Sequence, residues 1–338
     1  MKFKKIFISI KKRILDYLKR RPHRSFCFTR RRDYTRSLEL PGYIAFTLYV
    51  QKILWKNRKI FILVAILYAI LTAMLVGIAS QDIYSVLADL LKVTGSNVFV
   101  GNWGRIGEAS VLYLSAITGG LSENLTEVQQ VYAGLITLLT WLTSVWLLRN
   151  ILAGHKVKMR DGLYSAGSPI VSTFAVALIL LIQLIPLALA LIGYGAASTT
   201  ILLSGGVEAM LFWIAAGLLS VLSLYLVTGT IFALIIVTLP GMYPMRAIKA
   251  SGDLVIGRRM RILFRLLWMM LVELIAWAFI VIPIVLLDSW IKGLWPAIGE
   301  VPIVPFVLLL LSALTIVWTS SYIYLLYRKV IDDDSEPA

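Results

Sequence analysis

One cysteine, Cys27, and two histidines, His23 and His155, are the only thiol and imidazole groups in 338 residues. A single thiol excludes an intramolecular disulfide framework, and this set is too small for a zinc cluster of Cys and His. Acids are scarce as well, with 18 Asp and Glu against 33 Lys and Arg. Signatures of catalysis are missing. The chain has no HExxH, no GxSxG elbow and no cluster of carboxylates in its apolar stretches, and neither histidine has an acid–base partner in its own segment. Serines such as Ser165, Ser168 and Ser251 sit near span boundaries, where capping or packing accounts for them. No cofactor or resident metal is implied, and an enzyme is not the expected class. No continuous apolar h-region follows the basic first residues, so the N-terminus reads as retained rather than as a cleaved signal.

What the chain has in excess is apolar surface. Hydrophobic residues make up 59% and the mean hydropathy is +0.84, too much for water-soluble cores, so the excess needs lipid. A bilayer core of ~30 Å takes about 20 helical residues at ~1.5 Å each. Charge-free windows of that order fall at Ile60–Ala79, Val131–Leu148, Ile170–Tyr194, within Ala209–Leu239, at Leu266–Leu287 and at Ile303–Tyr327. The fold class expected is an all-α polytopic transmembrane bundle of six spans. Pro186, Pro283 and Pro305 interrupt these windows, which a bundle tolerates because neighbouring helices can satisfy freed backbone groups.

Charge gives the threading. Of the 33 lysines and arginines, all but Lys92, Arg105 and Lys292 fall on one side if six spans alternate and both termini lie together. Short cytoplasmic loops retain Lys and Arg, so both termini are expected in the cytoplasm, with the cell membrane of a bacterium as the setting. The expected organisation is a basic N-terminal segment (1–40), an in-plane elbow helix (41–59), the six-span domain (60–330) and an acidic, solvated tail (331–338). In the exterior loop of residues 80–129, Ile83, Val86, Leu87, Leu90 and Leu91 share a helical face, and the sequon Asn124-Leu125-Thr126 follows.

The N-terminal stretch MKFKKIFISIKKRILDYLKRR sets Phe3, Phe7, Ile10, Ile14 and Leu18 at helical spacing among basic residues, the pattern of a helix in a membrane interface. Anionic headgroups are the expected partners, through Lys11, Lys12, Arg13, Arg30, Arg31, Arg32, Arg246, Lys249, Arg258, Arg259, Arg261 and Arg265. An alternative for FTRRRDYTR is RNA or ribosome contact, since arginines alternate there with Phe28 and Tyr34, although no nucleic-acid module is present.

Two stretches imitate known chemistry. GDLVIGRR, residues 252–259, has the glycine spacing of a phosphate loop, but Arg258 and Arg259 stand where its Lys and its magnesium-binding hydroxyl should be. IGYG, residues 192–195, has part of a potassium filter without the threonine and without a separate pore helix. Glu273, inside the fifth span, is the strongest single residue. An ionisable group at mid-span costs roughly 3 kcal/mol to insert, so it faces the bundle or a wet cavity, as a transport site or as a structural carboxyl with Gln183 of span 3 as a candidate partner. From its place near the basic side it could also reach Arg261 or Arg265.

The stretch AIKASGDLVIGRRMRIL resembles the inner-loop pattern of YciC-like proteins and of the membrane domain attached to some glycerophosphodiester phosphodiesterases. The matching positions are Ala247, Ile248, Ser251, Leu254, Val255, Gly257, Arg258 and Arg259. The resemblance covers residues 60–330 in layout and implies a six-helix membrane module with no catalytic motif of its own. MRDGLYSAGSPI between spans 2 and 3 faintly echoes MRAIKASGDLVI between spans 4 and 5, which leaves open two related halves or a shared membrane boundary. The leading functional expectation is a non-enzymatic module that organises lipid or a protein partner at the cytoplasmic face. The alternative is a transporter or permease using Glu273.

Overall fold

The computed structural model describes residues 40–77, 126–198, 205–295 and 301–335. The helix expected in residues 1–21, the arginines at 30–32, the exterior-loop helix and Asn124 lie outside them. The described residues hold ten helices, in chain order α1 Tyr43–Lys56, α2 Arg58–Leu75, α3 Glu127–Leu152, α4 Met159–Ala166, α5 Ile170–Ser198, α6 Val207–Thr230, α7 Ala233–Ile236, α8 Pro244–Val255, α9 Arg259–Leu294 and α10 Ile303–Ser335. No strand occurs among the described residues.

Among the described residues six helices are long and apolar enough to cross a membrane, and each contains one of the six expected windows or most of it. Where boundaries moved, local chemistry moved them. α3 starts at Glu127 because Thr126 and Gln129 form a reciprocal capping box, Gln129 N–H donating to Thr126 Oγ1 at 3.3 Å and Thr126 N–H to Gln129 Oε1 at 2.9 Å. The acidic run read as a solvated tail begins inside α10, which continues helically to Ser335 with Val330 buried beneath it. α9 has 36 residues and α10 has 33, roughly 50 Å each, so both outrun a hydrocarbon core.

The expected elbow is a separate helix. Asn57 breaks α1 from α2 with non-helical backbone, and its side-chain Nδ2 donates to Ile53 O at 3.0 Å. α1 buries Phe46 and Val50 against α9 and α10 and turns Ile44, Leu48 and Trp55 outward. α2, α3 and α10 pack mutually, with Ala65, Ala69 and Ala313 allowing close approach, while α5 pairs with α6 and α9 with α10. Pro41 and Val330, near the first and last described residues, bond to Arg265 and Arg258 respectively, so both ends of the described chain sit at the basic end of the bundle.

Most of the largest hydrophobic cluster gathers at that end. Phe46, Leu147, Leu148, Phe232, Ile235, Ile236, Ile262, Tyr322 and Leu326 are all buried, whereas α6 leaves Leu211, Trp213, Ile214 and Leu218 exposed in its first half. Water makes apolar burial favourable and lipid does not, so a dense core belongs where helices emerge from hydrocarbon. Farther along, polar pins hold the helices together. Pro186 cannot donate the amide hydrogen of a normal helical turn in α5, and Ser223 of α6 donates its hydroxyl to the neighbouring Gln183 carbonyl. Ser223→Ala is expected to cost about 1 kcal/mol in reversible unfolding in detergent, localised to the α5–α6 pair.

Candidate functional site

The basic stretch of residues 244–265 folds as helix, turn, helix. Pro244 at the start of α8 needs no amide partner there, and Ala247, Ser251 and Val255, four residues apart, form the buried face while Arg246, Lys249 and Asp253 face outward. Ser251 Oγ donates to Gly229 O on α6 at 2.8 Å. Gly257 has φ +79°, a left-handed conformation that lets the chain reverse into α9. The glycine spacing of a phosphate loop therefore belongs to a helix end and a turn.

The six basic residues of this stretch have separate fates. Arg258 is 3% exposed and donates to Val330 O on α10 at 3.2 Å. Arg265 is 6% exposed, donates to Pro41 O, and sits over the rings of Tyr43 at 4.4 Å and Phe46 at 5.6 Å. These two were expected as headgroup contacts. Instead they are tied into the protein, because α10 and α1 lie across the start of α9. Arg259 is half-buried and stacks 4.0 Å over Tyr225, while Arg246, Lys249 and Arg261 reach the surface.

Glu273 is half-buried on α9 and accepts the hydroxyl hydrogen of Thr319 on α10. One turn on, Trp277 Nε1 donates to Thr315 Oγ1 at 2.8 Å. Two residues four apart on α9 thus meet two four apart on the antiparallel α10, a ladder of polar rungs along an apolar seam. Gln183 is not the partner: its carbonyl holds Ser223, and its side-chain oxygen is buried on α5 with no hydrogen bond. Thr319 was missed from the sequence because a threonine in a span has no feature to mark it beforehand.

Among the described residues, two clefts at the basic end bear on function. The first, about 500 Å³, has an apolar floor of Ile53, Ile60, Ile151, Leu152 and Val157 with Lys56, Asn57, His155 and Lys156 around it. The second, about 480 Å³, lies between the end of α3, the α4–α5 turn and residues 237–242. Arg149 lines it, held by its Nη1 donating to Thr238 O at 3.2 Å and its Nη2 donating to Thr238 Oγ1. Glu273 lines neither cleft. No group of three or more His, Cys, Asp and Glu able to hold a metal occurs among the described residues.

The imitation filter residues Gly193, Tyr194 and Gly195 are inside α5, with Phe212 of α6 3.5 Å from where a Gly193 Cβ would stand. They are turns of a continuous helix rather than the extended backbone a filter needs. The two echoing stretches both fold as short helices, α4 and α8, each packed on the span before it.

Six apolar helices of spanning length in an all-α fold define a multi-pass membrane helical bundle. Comparisons with family models, with curated proteins and with solved structures found no match.

Proposed function

We propose that the protein is a non-enzymatic module of the cell membrane, in a bacterium, that organises anionic lipid with its basic end toward the cytoplasm. The observation that carries this reading is the cation-rimmed, apolar-floored cleft between α1, α2 and the end of α3. Its chemistry is two-part: acyl chains or glycerol carbons meet Ile53, Ile60 and Ile151, and headgroup phosphates meet Lys56 and Lys156. Arg246 and Lys249, outward on α8, extend the same positive face. The likeness of residues 247–259 to YciC-like and phosphodiesterase-associated membrane domains belongs to this proposal, as a layout without a catalytic barrel.

The test is lipid co-purification. Full-length protein extracted from mixed vesicles of phosphatidylglycerol and phosphatidylcholine in a nonionic detergent is expected to retain phosphatidylglycerol selectively, less so at high salt. Lys56→Glu with Lys156→Glu is expected to cut that retention several-fold, since like charges repel the headgroup. Equal retention of both lipids by the unaltered protein would sink the reading.

The second reading, transport of an ion or small solute, rests on Glu273. Its bond to Thr319 favours the structural role. Glu273→Gln keeps an acceptor for Thr319 and is expected to unfold like the parent, whereas Glu273→Leu is expected to lose about 0.6 kcal/mol, the usual size of an interhelical bond in a membrane. In proteoliposomes, a cation or proton flux abolished by Glu273→Gln while folding stays intact would move transport ahead.

A further inference from the structure

We propose that the cleft centred on Arg149 is a binding site for a single phosphoryl group, the phosphate of a lipid headgroup or of a soluble phosphate ester. This rests on the lipid-organising reading above and adds to its first cleft a second place of recognition.

Arg149 is fixed from behind. Thr238 takes two of the five N–H groups of the guanidinium through its carbonyl and hydroxyl oxygens, which sets the plane of the fork and leaves the other donors for a ligand. The Thr238 hydroxyl hydrogen is itself committed to Ile235 O at 2.7 Å, so its oxygen can only accept from Arg149. Around the same cleft stand Ser165, Ser168 and Ser172, whose hydroxyls have no hydrogen bond to other described residues. No carboxylate lines it, and Trp146 contributes an aromatic wall of the kind found at a bilayer boundary. A preset guanidinium with three uncommitted hydroxyls and no opposing charge matches the oxygens of a phosphoryl group. The open volume of about 480 Å³ is within the range of small-ligand sites.

The site contrasts with three other arginines of the basic end. Arg258 and Arg265 are spent on the protein's carbonyls in the core, and Arg259 on Tyr225. Arg149 alone among these four lines one of the two clefts.

The full chain in a nonionic detergent is titrated with phosphatidylglycerol, with glycerol 3-phosphate and with inorganic phosphate, using dioleoylglycerol as the phosphate-free control. Binding is read by native mass spectrometry and by thermal shift. The expected result is binding of phosphatidylglycerol and not of dioleoylglycerol, weakened about tenfold in Ser168→Asp and in Arg149→Lys. Ser168→Asp leaves the Arg149–Thr238 bonds alone and puts a negative charge by the start of α5, where a helix tolerates it, so a folded variant is expected. Soluble phosphates that bind as well as the lipid, with the same sensitivity, assign a free phosphate ester; lipid alone assigns a headgroup. If phosphatidylglycerol binds the parent and both variants equally, this site is overturned while the lipid-organising reading stands. If the parent does not distinguish phosphatidylglycerol from dioleoylglycerol and takes no soluble phosphate, both fall together.

Discussion

Arg265→Ala is expected to release α1 from the bundle and to destabilise the protein by roughly 3 kcal/mol. Arg265 joins α9 to the start of α1 through its guanidinium and to α10 through its backbone. It donates to Pro41 O just before α1, it stands over the faces of Tyr43 and Phe46 on α1, and the backbone carbonyl of the same residue accepts from Tyr322 of α10 at 3.4 Å. A bond from a charged donor contributes about 2 kcal/mol, and a desolvated cation over an aromatic ring about 1 more. Part of this is offset in the native protein, because Arg265 Nη1 is buried without a hydrogen-bond partner. Arg265→Met, which keeps apolar volume and removes the buried charge, is therefore expected to lose less than Ala. Hydrogen exchange over residues 43–56 is the direct measurement. Fast exchange confined to α1 in Arg265→Ala supports the pin, and exchange equal to the parent would refute it.

Gly162→Val is expected to have the next largest effect, roughly 3 kcal/mol, through overpacking. A Cβ at this position would stand 2.9 Å from Leu147 Cγ, 3.0 Å from Leu147 Cδ2 and 3.3 Å from Thr143 Cγ2. Leu147 is fully buried and cannot swing aside, and Thr143 is held by its 2.7 Å hydrogen bond with Tyr68 of α2. α4 must therefore lift from α3. Gly162→Ala meets the same contact with one carbon, and its better helix propensity returns about 1 kcal/mol, so its net loss is smaller. Because Ser165 and Ala166 at the end of α4 line the Arg149 cleft, Gly162→Val is expected to weaken phosphatidylglycerol binding as well. A variant as stable as the parent in denaturant titration would show that α4 is not packed as described.

Much of this architecture could be anticipated, and the reasons are local. Spans announce themselves as charge-free windows, and the amphipathic face of α8 appears as Ala247, Ser251 and Val255 four residues apart. The misses share a different cause. Asp332 is exposed as a solvated tail would have it, but composition cannot show that α10 carries its helix past the bundle core to Ser335. Arg258 and Arg265 read as headgroup contacts because a basic residue beside a span has the same local pattern whether or not another helix covers it. Gln183 was offered as a partner for Glu273 because both are polar inside apolar stretches, while Thr319, the residue that bonds Glu273, resembles every other hydroxyl in a span.

The number of spans, their alternation and the gathering of positive charge at one end were decided by the chain's linear order, since hydropathy windows and charge counts need no knowledge of neighbours. Packing decided which cations are left for a ligand. The bonds that spend Arg258 and Arg265 cross 72 and 224 residues, and the one that sets Arg149 crosses 89. No period or motif spans such distances. Whether an arginine holds a carbonyl or lines an open cleft depends on which helix the bundle lays against it.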